Sequence, residues 1–63
     1  MPVITVEAGL LTKEQKTELA KTLTESASRI MGIPEHAFIT LLKENGPDNV
    51  AVGGVLLSER KKS

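Results

Sequence analysis

Thr12-Lys13-Glu14-Gln15-Lys16-Thr17-Glu18-Leu19-Ala20-Lys21-Thr22-Leu23-Thr24-Glu25-Ser26-Ala27-Ser28-Arg29-Ile30-Met31-Gly32 is the stretch that decides the fold. Its first four residues fit a capping box, with the Thr12 hydroxyl at the N-cap and Gln15 three residues on. Leu19, Ala20, Leu23, Ala27, Ile30 and Met31 then recur at spacings of three and four, which makes one apolar stripe. Gly32 supplies the C-terminal cap, and Pro34 forbids continuation. About nineteen residues make a helix roughly 28 Å long, enough to dominate so short a chain.

Short β-rich segments flank this helix. On the N-terminal side, Pro2-Val3-Ile4-Thr5-Val6-Glu7 alternates in a way that predicts a strand burying its Ile4/Val6 face. Ala8-Gly9-Leu10-Leu11 follows as a loop. On the C-terminal side, Ala37-Phe38-Ile39-Thr40-Leu41-Leu42 is apolar except for one threonine, the mark of a strand covered on both faces. Strand, long helix, strand is a β-α-β unit with parallel strands and a right-handed crossover. Asn45-Gly46-Pro47-Asp48-Asn49 is a turn cluster. Val50 to Leu57 reads as a short hairpin broken by Gly53-Gly54, and residues 58–63 as a solvated tail. With no linker or repeat, residues 1–63 form one α/β (α+β) domain.

The chain has 63 residues, no Cys, one His, no Trp, no Tyr and one Phe. A domain near this size buries only about 60% of its unfolded surface and needs a staple. Disulfides are excluded, and a structural metal lacks its usual ligands. Oligomerisation remains. One helix covers one face of a two-stranded sheet, so either the Phe38/Thr40/Leu42 side or the Ile39/Leu41 side must meet another subunit.

Eight Lys+Arg balance eight Asp+Glu. There is no basic surplus for a phosphate backbone and no aromatic stacking platform, so nucleic acid is not a partner. No apolar run approaches the roughly 20 residues of a membrane span, and the N-terminus does not read as a signal peptide. The expectation is a soluble, cytoplasmic protein without a membrane partner.

Catalytic inventory is sparse. His36 stands alone in the Pro34-Glu35-His36 connection and reads as an exposed loop residue, with a ligand or base role as the alternative. Gly53-Gly54 is too short to cradle phosphate and reads as a turn. No metal-ligand or nucleotide-binding motif is present. Pro2 remains. Methionine before a small residue is normally removed, which would leave Pro2 with a free secondary amine. Unperturbed α-amino groups titrate near 7.7–8.0, and apolar surroundings or a nearby cation lower that value toward what proton transfer at carbon requires.

Taken together, Pro2 opening an apolar strand, Thr12-Lys13-Glu14-Gln15-Lys16, Arg29, Pro34, Glu44 and Val52-Gly53-Gly54 resemble the 4-oxalocrotonate tautomerase family, in its DmpI-like branch, from Pro2 to about Leu57. The resemblance implies a β-α-β monomer assembled as a homohexamer, a trimer of dimers. It also implies a cofactor-independent, metal-free keto-enol tautomerase in which Pro2 is the general base toward a small unsaturated 2-oxo acid. In the founding members, two arginines bind the substrate carboxylates and a phenylalanine lines the pocket. The matching positions here are Leu11, Ile39 and Val50, which implies a more apolar substrate pocket.

Several groups could take over the missing positive charge. Lys13 and Lys16 stand in the first helical turn, with solvation as the plain alternative. Lys43 lies near the end of the second strand. Arg29 complements the helix dipole. Arg60-Lys61-Lys62 reads as a solubilising run, and backbone N–H groups around Gly9 and Leu10 offer an oxyanion site. Lys13 is taken with Leu11, Ile39 and Val50 as substrate-binding. The alternatives are a non-catalytic oligomeric binding module on the same scaffold, and a promiscuous hydratase or dehalogenase of a small acid using protonated Pro2.

Overall fold

A computed structural model describes residues 1–60. Strand β1 (Val3–Ala8) leads into helix α1 (Lys13–Met31), and strand β2 (Ile39–Glu44) returns beside β1. The two strands pair in parallel, with Val3 opposite Ile39 and Ala8 opposite Glu44. Strands β3 (Ala51–Val52) and β4 (Val55–Leu56) form a separate antiparallel hairpin. This is the β-α-β architecture with a short C-terminal hairpin that the sequence predicts.

The helix begins and ends where its capping residues place it. Thr12 Oγ1 accepts from the Gln15 N–H at 3.1 Å, and Gln15 Oε1 accepts from the Thr12 N–H at 2.9 Å, closing the capping box. At the other end Gly32 takes a left-handed φ of 69°, and its N–H donates to the Ser28 carbonyl at 2.9 Å. The glycine pair in the hairpin is equally specific. Gly53 and Gly54 have φ of 63° and 84°, the two left-handed positions of a tight hairpin turn that an L side chain resists.

Alternation divides the sheet into two unlike faces. Ile4, Val6, Thr40 and Leu42 are half-buried beneath the helix, where the Thr24 and Thr40 hydroxyls meet at 2.9 Å. Val3, Ile39 and Leu41 point the other way and remain 55%, 40% and 44% exposed. The second strand is therefore covered on one face within the chain, not on both.

Boundaries differ from the sequence reading at three places. Ala37 belongs to a 3-10 turn over Glu35–Ala37, and the second strand starts at Ile39 and runs on to Glu44. Pro34 causes the shift: its carbonyl accepts from Ala37 N–H while Glu35 accepts from Phe38 N–H, so the chain must turn before it extends. Ala8 extends the first strand because it still has Glu44 as a partner. Ile30 and Met31 continue the helical apolar stripe but are exposed, unlike the half-buried Leu19, Leu23 and Ala27. At the C-terminal end, Leu57–Glu59 form a 3-10 turn with Ser58, Glu59 and Arg60 exposed. The remainder of the expected tail, Lys61, Lys62 and Ser63, lies outside the described residues.

Among the described residues no side chain is fully buried. The radius of gyration is 15.4 Å, against about 11 Å for a compact domain of this length. A helix lying over two strands, with a hairpin extending from them, cannot close around a core. What it presents instead is an open apolar sheet face, and the hairpin separately exposes Val52 and Val55.

Candidate active site

Register places the candidate residues at two ends of one short sheet. Pro2 precedes β1, half-buried, and its carbonyl accepts a 3.0 Å hydrogen bond from the Ile39 N–H. Pro2 and Ile39 are thus brought together. Val3 lies opposite Ile39 on the open face, so this end of the sheet is apolar. In this structure the Pro2 nitrogen is acylated by Met1, which is exposed. An amide nitrogen is no base; the amine chemistry of Pro2 begins only when Met1 is cut away.

Leu11, Lys13 and Val50 belong to the opposite end. Leu11 ends the loop after β1 and Lys13 is the first residue of α1, exposed to solvent. Val50 follows a 3-10 turn over Pro47–Asn49 and accepts a 2.8 Å hydrogen bond from the Leu57 N–H. It borders an open groove with Glu7, Gly9, Asn45, Asn49 and Leu57. Six residue steps along β1 separate Pro2 from Ala8, roughly 20 Å of extended chain. A single chain therefore does not bring Pro2 and Ile39 together with Leu11, Lys13 and Val50.

The far end is organised by a residue that sequence reasoning placed in the family pattern but gave no role. Glu44 closes β2, and its carboxylate grips two partners at once. Oε2 accepts from the Leu11 N–H at 2.8 Å and Oε1 accepts from Lys16 Nζ at 2.9 Å. The Leu11 amide, followed by the Lys16 ammonium, holds the Glu44 carboxyl below its ordinary range. Strand end, loop and first helical turn are joined through one side chain. A carboxylate terminating an apolar run was the available signal, since it needs a donor once the strand carries it to the sheet end.

The remaining cations separate accordingly. Among the described residues Lys16–Glu44 is the one salt bridge, so Lys16 is committed while Lys13 has no carboxylate partner there. Lys43 lies opposite Glu7 on the open face of the sheet. Arg29 occupies the last helical turn, far along α1 from this end. His36 is exposed in the 3-10 turn before β2. Among the described residues no group of three or more metal-ligating side chains gathers, and no helix is long and apolar enough to cross a membrane.

Comparison with known proteins gives a consistent result. The family described as "Tautomerase enzyme" matches residues 2–60. A probable tautomerase of Bacillus cereus is 36% identical over 61 residues, covering 95% of this chain and 100% of that protein. The crystal structure of a 4-oxalocrotonate tautomerase homologue superposes with a TM-score of 0.88 at 38% identity, over 98% of this chain and 100% of that one. A heterohexamer 4-oxalocrotonate tautomerase from Chloroflexus aurantiacus shares the fold, with a TM-score of 0.77 at 24% identity over 97% and 98% of the two chains.

Proposed function

Because this chain belongs to the tautomerase enzyme family, we propose that it shifts a proton between the enol and keto forms of a small unsaturated 2-oxo acid, with Pro2 as the general base. The observation that carries this reading is the position of Pro2: at the head of an apolar strand, pinned through its carbonyl to Ile39 N–H and flanked by Val3 and Ile39. Once Met1 is removed, the ring nitrogen becomes a secondary amine whose backbone is already fixed. Apolar surroundings disfavour its protonated form and bring its basicity toward neutral pH. The amine takes the enol proton and returns it at carbon. The balance of the reaction requires neither an oxidant nor a cofactor.

The pocket is shared between copies of the chain. Support comes from the roughly 20 Å of strand that keeps Pro2 and Ile39 apart from Leu11, Lys13 and Val50, and from the open face of Val3, Ile39 and Leu41 that a partner would cover. A homohexamer built as a trimer of dimers fits both features. With leucine, isoleucine and valine at positions 11, 39 and 50, no guanidinium fork is available there to grip a second carboxylate. The substrate is accordingly a monoacid or an aryl pyruvate, with Lys13 as the cation for its single carboxylate.

Intact mass and turnover test the reading together. Protein lacking Met1 should ketonise a phenylenolpyruvate substrate, and protein retaining Met1 should not. Equal rates from the two forms would remove Pro2 from the mechanism. The non-catalytic module remains the second reading, favoured by the same aliphatic residues at positions 11, 39 and 50. Absence of turnover in fully processed protein would select it.

A further inference from the structure

We propose that Glu44 sets the substrate's charge class by holding Lys16 out of carboxylate recognition. This deepens the function proposed above and rests on its placement of Leu11 and Lys13 at the substrate.

Lys13 and Lys16 stand three residues apart in the first turn of α1, the spacing that puts two side chains on neighbouring positions of one helical face. Two ammonium groups so placed would make a receptor for two carboxylates. Only one is left for that purpose. Lys16 Nζ donates to Glu44 Oε1 at 2.9 Å, and the other oxygen of the same carboxylate is tied to the Leu11 N–H at 2.8 Å. The second tie matters because it fixes the carboxylate on the backbone of the loop. Glu44 therefore cannot swing aside with Lys16 to admit a ligand without giving up a backbone hydrogen bond. A dicarboxylate reaching this mouth finds Lys13 unpaired and Lys16 already neutralised, with the negative Glu44 beside it. A monoacid meets only the first of these.

The test is a binding titration that does not depend on turnover. Full-length protein with Met1 removed is titrated with succinate and with propionate, followed by NMR shifts. Wild type is compared with Glu44→Gln, Lys16→Met and the double variant. Glutamine keeps an oxygen for the Leu11 N–H but gives up the charge that holds Lys16. The expected result is roughly tenfold tighter succinate binding in Glu44→Gln, the size of one charge-assisted hydrogen bond, with propionate changed less than about twofold. Lys16→Met strips the Glu44 carboxylate of its counter-ion and should weaken succinate more than propionate, and the double variant, with neither charge, should return to the wild-type preference. Unchanged preference in Glu44→Gln would overturn the proposal. Equal weakening of both acids would also overturn it, by showing that Glu44 only braces the loop. Titration separates this failure from failure of the tautomerase reading, which depends on turnover and on Met1 removal.

Discussion

The Ile39 N–H donates a 3.0 Å hydrogen bond to the Pro2 carbonyl. The bond extends the β1–β2 ladder past its last Cα pair, Val3 and Ile39, to the residue before the strand. Pro2 is thus held by the sheet and not by Met1, so cleavage of the Met1–Pro2 bond changes the nitrogen without releasing the residue. A secondary amine presented this way has lost most of its orientational freedom before substrate arrives, which is what positioned proton transfer needs.

Replacing Pro2 by alanine retains an α-amino group after Met1 removal but loses the ring that fixes its direction. The expected outcome is a fall in kcat/KM within the roughly 10²–10⁴-fold range of a positioned general base. Steady-state ketonisation rates, with intact mass confirming that Met1 is absent, check this. A variant within twofold of wild type would show that the proline ring is not what directs the base.

The open face makes a prediction about assembly. Leu41 is 44% exposed between Ile39 and Lys43 on the side of β2 that α1 does not cover. An aspartate there would place an unpaired carboxylate in the proposed subunit contact, at a cost of several kcal/mol. Leu41→Asp should therefore weaken association by at least about 100-fold, seen as a smaller mass by light scattering. Thr22→Asp, on the exposed outer side of α1, should keep the wild-type mass. Identical masses for both variants would place the subunit contact elsewhere.

Most of the secondary structure is readable in the sequence because its signals are local. Thr12 and Gln15 announce the helix start, Gly32 its end, and Gly53-Gly54 the hairpin turn, each through backbone geometry that few other residues satisfy. The start of β2 is not readable in the same way. Ala37 and Phe38 are as apolar as the strand that follows, and only hydrogen bonds accepted by Pro34 and Glu35 separate turn from strand. The site is less legible still. Pro2 stands out by its chemistry and its family resemblance, but the division of Pro2 and Ile39 from Leu11, Lys13 and Val50 is a consequence of parallel register. Glu44 acquires its role from two partners that lie 33 and 28 residues away in sequence, a relation that no local pattern records.

Loss of the helix cap should be felt by the whole fold, since α1 covers one face of the sheet. Thr12→Ala removes the hydroxyl that accepts from Gln15 N–H and leaves only the other half of the capping box, the backbone N–H of residue 12 donating to the Gln15 side chain. The expected cost is about 1 kcal/mol, or roughly 4–8 °C in Tm for a domain of this size. Thermal unfolding must be compared at matched protein concentration, because association itself raises Tm. Thr12→Ser should recover most of the loss. An alanine variant that melts with wild type would mean that the capping box adds nothing to the assembled protein.

Acid should undo the Glu44 clasp in a defined direction. The Leu11 N–H and the Lys16 ammonium hold the folded-state carboxyl below its ordinary value, so the unfolded chain takes up this proton at higher pH than the folded one. The stabilisation is therefore complete above the unfolded carboxylate range, about 4.3 for glutamate. It declines as pH falls through that range and is lost below the folded value. Glu44→Gln cannot titrate, so the Tm difference between wild type and this variant should be constant from pH 7 to about 5.5 and shrink between there and pH 3. Raising the salt concentration at pH 7 should narrow the same difference, because both partners are partly exposed. A difference that persists unchanged to pH 3 would show that Glu44 acts by its shape and hydrogen bonding, with no contribution from its charge.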